Sequence, residues 1–129
     1  MYSYEEYRKN YDSLSLEEME AIVVSIQEVV HSHIEDCAEL YDDVVCGAVK
    51  YANERAKWNT EYDICTRMEK DRTRTALHDG FISDLNILTR YVSKEYGCDI
   101  SWMEKLQNNR KRVGDFACYI AFVYGLNAR

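Results

Sequence analysis

The chain holds three histidines, and each lies near a carboxylate. His31 and His33 run into Glu35-Asp36, and His78 is followed directly by Asp79. Imidazole and carboxylate are ligands for zinc, iron or manganese, so these are the residues from which a metal centre would be built. Spacing restricts the choice. Ligands on one helix need i, i+3 or i+4 separation, whereas His31 and His33 lie about 200° apart around a helix and face opposite sides. Only one of them points inward unless the chain turns at Ser32, and a helix-terminal histidine on the surface is the ordinary reading. Other chemistry has less to work with. There is no G-x-S-x-G nucleophile elbow, no G-x-G-x-x-G and no P-loop. No cofactor is therefore expected.

The series His33, His78-Asp79 and Asp115 is similar to that of the HD-type metal phosphohydrolases. The resemblance implies a metal held by those four residues and a water activated against a phosphoester. It covers only the four residues. Gly80-Phe81-Ile82 follows Asp79, where that family's extended motif often carries a basic residue. The same region admits a cofactor-free reading. His78, Asp79, Asp84, Asn86 and Arg90 lie on or beside the side opposite Leu77, Phe81, Leu85 and Leu88. There they line a polar cleft or form the wet side of an amphipathic helix. Two basic clusters, Arg67-Lys70-Arg72-Arg74 and Arg110-Lys111-Arg112, are candidate phosphate contacts. Glu69 and Asp71 interleave the first and Asp115 follows the second, so salt bridges to an acidic half explain them equally well.

These side chains must be positioned by helices. The 129 residues include no proline and five glycines, where ordinary usage of roughly 5% proline would give about six. Proline breaks helices by removing an N–H and clashing with the preceding turn, so its absence points to a chain helical nearly throughout. Tyr4, Tyr7, Tyr11 and Leu14 follow helical spacing and predict an N-terminal helix with a tyrosine face. Ser15 and Glu18 form a capping box ahead of a stripe at Met19, Ile22, Val23, Ile26, Val29, Val30 and Ile34, predicting a helix over about 16–33. Ser32 and Glu35 repeat the box and open a further helix. It carries Leu40, Val44, Val45, Val49 and Ala52 and runs to about Lys57. Trp58 to Asp63 reads as a connector. Residues 64–96 form one helix or two, with Thr73 and Thr75 a place for a break and Gly97 a C-terminal cap. Ser101 and Glu104 announce a short helix, and Asn108-Asn109 a turn. Gly114-Asp115 then leads into an apolar helix over 116–124 that belongs at the centre of the molecule.

Composition bounds the function. The net charge is −7, with 47% hydrophobic and 30% charged residues, which fits a globular domain. Residues 1–45 carry net −10 and residues 46–129 net +3, so acidic early helices can lie against basic later ones. The acidic total disfavours non-specific nucleic-acid binding. No apolar run approaches the roughly 20 residues of a membrane span, and no signal peptide is recognised, so a cytoplasmic protein is expected. Five cysteines at wide spacing, without C-x-x-C, read as buried free thiols.

Two stretches, Leu77-His-Asp-Gly-Phe-Ile-Ser-Asp-Leu-Asn-Ile-Leu-Thr-Arg-Tyr91 and Arg110-Lys-Arg-Val-Gly-Asp-Phe-Ala-Cys-Tyr119 with its Gly125–Arg129 ending, resemble an uncharacterised bacterial family of small helical proteins, a domain of unknown function. The resemblance covers mainly the C-terminal half and implies a helical build without naming an activity. The expected fold is a single all-α domain, residues 1–129, of five or six helices, with 116–124 packed by the 19–34 and 77–92 stripes. The expected function is that of a non-enzymatic protein that binds another protein or a second copy of itself, a homodimer being the commonest assembly. A metal-dependent phosphohydrolase and a nucleic-acid-binding regulator are the alternatives.

Overall fold

In a computed structural model the chain is all-α, and the structure describes residues 14–60, 62–107 and 109–125. The order is α1 (Leu16–Ser32), α2 (Ile34–Thr60), α3 (Ile64–Tyr96), α4 (Met103–Gln107) and α5 (Arg110–Ile120), which runs into a π-helical turn at Ala121–Gly125. No strand occurs among the described residues. The expected tyrosine helix around Tyr4, Tyr7 and Tyr11 lies outside them.

Local signals account for most boundaries. Ser15 and Glu18 cap α1 reciprocally. The chain does turn beside Ser32, but not through a second capping box. Ser32 Oγ donates back to the Glu28 carbonyl at 2.9 Å, and the His33 carbonyl accepts the first amides of α2, from Asp36 and Cys37. α3 is one continuous helix. The Asp63 carboxylate caps it by accepting from Thr66 N, Thr73 Oγ1 donates to the Glu69 carbonyl within the helix, and Gly97 ends it at φ 66°. A threonine hydroxyl satisfied this way is compatible with helix continuation.

α2 and α3 are long antiparallel partners. Gly47 of α2 abuts Phe81 of α3, Tyr51 meets His78 edge-on, and Trp58 meets Arg67 and Arg74. The connector was expected to start at Trp58, but the helix continues to Thr60, which puts the indole on a helix wall. α2 is the hub of the bundle. It packs against α3 along its length and receives α5, the π-helical turn and α1 on its remaining sides.

α5 begins four residues before Gly114, because the Asn109 side chain accepts from Lys111 N and Arg112 N and starts it there. Gly114 is not a helix breaker. A Cβ on it would stand 2.6 Å from Tyr51 Oη, so glycine is what lets α5 lie against α2. The unbroken buried stretch is Val113 to Ala121, whereas Phe122 and Tyr124 are half-buried and Val123 is exposed. The central helix is thus set a few residues earlier than 116–124, and it rests chiefly on α2 rather than between α1 and α3. One hydrophobic core unites Met19 and Val23 with Val44, Ala48, Phe81, Leu85, Leu106 and Phe116. All five cysteines are free, but only Cys37 and Cys118 are buried. Cys46 and Cys65 are exposed, and Cys98 lies between.

Glu20 of α1 is clamped by two tyrosines, accepting from the hydroxyls of Tyr119 and Tyr124. Burial and then the bond to Glu20 raise both phenols above their ordinary 10.0, Tyr124 to about 12. A raised native pKa means the folded chain holds the proton more tightly than the unfolded one. This contribution is complete below pH 10 and is lost as the pH climbs through about 12.

Phe116 is fully buried and edge-to-face with Phe81, ring centroids 6.4 Å apart. Phe116→Ala is expected to lower unfolding free energy by about 3–5 kcal/mol in a denaturant titration. Melting temperatures measured across pH 10–12 should fall more steeply for the wild type than for a Tyr119→Phe/Tyr124→Phe variant. Equal slopes would assign the alkaline loss to other tyrosines, such as Tyr41 and Tyr51, whose hydroxyls burial also raises.

Candidate functional site: a cationic cleft beside a buried ion pair

A cleft of about 400 Å³ opens where α2, α3 and the start of α5 meet. α2 supplies Tyr51, Arg55 and Trp58, which share a face at spacings of four and three residues. α3 supplies Arg74, Thr75 and His78, and the first turn of α5 supplies Arg110 and Lys111. Among the described lining residues there are thus four cations, the rings of Tyr51 and Trp58, and no carboxylate.

Each of the three guanidiniums pairs with an acid that is not among those lining residues. Arg74 pairs with Asp71, Arg110 with Asp79 at 3.1 Å, and Arg55 with Asp115 at 2.7 Å. The first two pairs are partly exposed, while Arg55 and Asp115 have side chains only 5% and 0% exposed. Burial opposes the Arg55 charge, yet its pKa is raised. Cys118, Tyr51 and the Asp115 carboxylate outweigh the burial. Arg55 Nη1 also donates to Cys118 Sγ at 3.4 Å. Arg55 is thus a fixed charge at the cleft floor.

Trp58 organises the outer rim. Arg67 and Arg74, two turns apart on α3, hold their guanidinium carbons 4.2 and 4.3 Å from its ring centroid. Such stacking orients the planar fork and preserves its charge. Arg74 Nε is buried with no hydrogen-bond acceptor among the described residues. An unmet donor of this kind costs about 1–3 kcal/mol.

His78 ties the α3 wall to α5. Its Nε2 lies 3.0 Å from the Arg110 carbonyl oxygen, so Nε2 carries the proton and donates. Its Nδ1 is 3.2 Å from Asp79 Oδ1, a contact that becomes a hydrogen bond when the ring is doubly protonated. Burial pushes the Asp79 carboxyl up, but the His78 contact and the Arg110 charge outweigh it and hold it below the usual carboxylate value.

The metal set implied by the phosphohydrolase resemblance, His33, His78, Asp79 and Asp115, does not converge. His33 stacks on Tyr96 at 3.5 Å, Asp115 is committed to Arg55, and His78 and Asp79 engage Arg110. No group of three or more ligating side chains is positioned for a metal among the described residues. The expected polar cleft divides as well. His78 borders the cationic cleft with Asp79 behind it. Asn86 and Arg90, about two and three turns further along α3, border a separate groove with Asp99 and Glu104. Of the basic patch, Arg110 and Lys111 line the cleft. Arg112 turns away and donates to the Lys105 carbonyl. Arg74 came from the other basic cluster. Arg55, Tyr51 and Trp58 were not foreseen as site residues, although their helical spacing is the signal that would have found them.

The buried pair yields a stability test. Asp115→Ala strands the Arg55 charge and is expected to cost about 3–5 kcal/mol in denaturant unfolding. Replacing both partners, Arg55→Met with Asp115→Leu, should recover most of that loss. A double variant as unstable as the single one would show that something other than stranded charge is at stake.

Nothing among the curated proteins or the solved structures matches the chain. A family model described as a protein of unknown function, DUF3232, matches residues 4–117. That stretch takes in α1 and α2 as well as the cleft-lining residues of α3 and α5, so the resemblance is not confined to the C-terminal half. By this match the chain belongs to the DUF3232 family of proteins of unknown function.

Proposed function

We propose that this is a non-enzymatic interaction protein that holds an anionic group of a partner protein in the cleft between α2, α3 and α5. The observation that carries the reading is the convergence of Arg55, Arg74, Arg110 and Lys111 on one cavity with no carboxylate among its described lining residues. The three guanidiniums each have a carboxylate partner, so an incoming anion would meet Lys111 and the further N–H donors of Arg74 and Arg110. Trp58, half-buried at the rim, adds rigid aromatic area of the kind on which partner surfaces anchor.

The arrangement favours binding over turnover. His78 spends Nε2 on a backbone carbonyl and Asp79 is held by Arg110. That leaves neither placed as a base with a reacting group before it. Nucleic acid is the other polyanion such a cleft would attract, but the net charge of −7 opposes an extended polyanion lying along the surface more than a single anionic group seated in the cleft.

Fluorescence anisotropy with a labelled Glu/Asp-rich peptide and a DNA oligonucleotide of equal charge tests the reading. The peptide is expected to bind saturably, and Lys111→Glu, a change at an exposed position, should weaken it by about tenfold or more. Absence of peptide binding, or stronger and equally Lys111-dependent DNA binding, would sink the interaction reading.

A further inference from the structure

We infer that the anion the cleft accepts is a phosphomonoester, presented as a phosphorylated side chain of the partner protein. This rests on the reading that the cleft is a protein-interaction site. It goes further by fixing the chemistry of the group.

The first ground is direction. The cations reach the cavity from α2, α3 and the first turn of α5, and so surround a volume rather than edge a plane. A carboxylate is flat, with two oxygens and one charge. A phosphomonoester has three terminal oxygens pointing different ways and carries about −1.5 to −2 at neutral pH. It can meet cations from three sides at once.

Competition is the second ground. Arg74 and Arg110 already have carboxylate partners in Asp71 and Asp79. An incoming carboxylate would exchange one monoanion for another and gain little. A dianion draws both guanidiniums without needing either pair to break, because each fork has further N–H donors.

The field of α5 adds a third ground. Its first two residues, Arg110 and Lys111, line the cleft, so the positive end of an eleven-residue helix lies at the cavity wall. The Asn109 side chain already takes the Lys111 and Arg112 amides. The helix therefore contributes through its dipole rather than by donating those N–H groups.

Size is the fourth. About 400 Å³ is far more than one phosphate group fills, given that a water occupies about 30 Å³. Tyr51 and Trp58 line the remainder and suit the carbon body that bears the ester.

The experiment is isothermal titration of the full chain with five probes. Three are one short peptide carrying phosphotyrosine, unmodified tyrosine, or glutamate at that position. The others are a nucleoside monophosphate and inorganic phosphate. The phosphopeptide is expected to bind at least about tenfold tighter than every other probe. Lys111→Glu and Arg74→Gln should each abolish that advantage, with helical content and melting temperature confirming that the variants fold. Equal binding of the glutamate peptide and the phosphopeptide would overturn the phosphate assignment while leaving the interaction reading intact. A nucleoside monophosphate binding as tightly as the phosphopeptide would overturn the partner-protein source. Binding of inorganic phosphate alone would overturn the need for an ester body. If no probe binds, both this inference and the reading beneath it fall.

Discussion

The arrangement of the molecule depends on one buried charge pair. Arg55 and Asp115 come from helices sixty residues apart in sequence, and neither is tolerable in a core alone. A buried carboxylate must find its cation, so α5 has essentially one register against α2. An ion pair of this kind is weak evidence for stability but a strong constraint on geometry. Once Asp115 is placed, Gly114 beside it falls under Tyr51 Oη. The first turn of α5, with Arg110 and Lys111, is then delivered to the edge of the cavity. The cationic cleft is a consequence of that register.

The rest of the fold supports this hub. α2 is flanked on several sides and accordingly buries an apolar set, Cys37, Val44, Ala48, Val49 and Ala52, together with Tyr51 and Arg55. Its C-terminal third changes character from aliphatic to aromatic and cationic at the point where the cleft begins. α3 changes in parallel. Phe81, Leu85, Leu88 and Val92 are buried, whereas Ile64 and Met68 near its start are exposed. Core and candidate site are two ends of the same helix pair.

Much of this was legible in the sequence and some was not, for reasons that differ by residue. The Ser15–Glu18 box, the stripe of α1 and the Gly97 cap were readable because each depends only on neighbours within a turn or two. Whether α3 was one helix or two was not, since Thr73 and Thr75 are ambiguous until their hydroxyls are placed. Ser32 misled because a serine can cap the helix ahead or bond back to the one behind, and here it does the latter. Gly114 looked like a boundary because steric demand from Tyr51, sixty-three positions away, leaves no local mark. The same holds for the site. Arg110 and Lys111 stood out as a basic run, but Arg55 stood alone in sequence, and its meaning comes from Asp115 and Trp58. His33 and His78 share a residue type without sharing a neighbourhood.

The hydrogen bond from His78 to the Arg110 carbonyl has a mechanical meaning. An imidazole ring spans the gap between α3 and the opening turn of α5, and its dimensions therefore act as a caliper for the mouth of the cleft. A ring is a stiff spacer, so it adds a fixed length to the separation of the two walls, beside the Arg55–Asp115 pair that sets the register. Whatever the cavity accepts must fit an aperture that one side chain measures out. Among relatives of this chain, a change of residue at position 78 would mark a change of aperture before any change in charge.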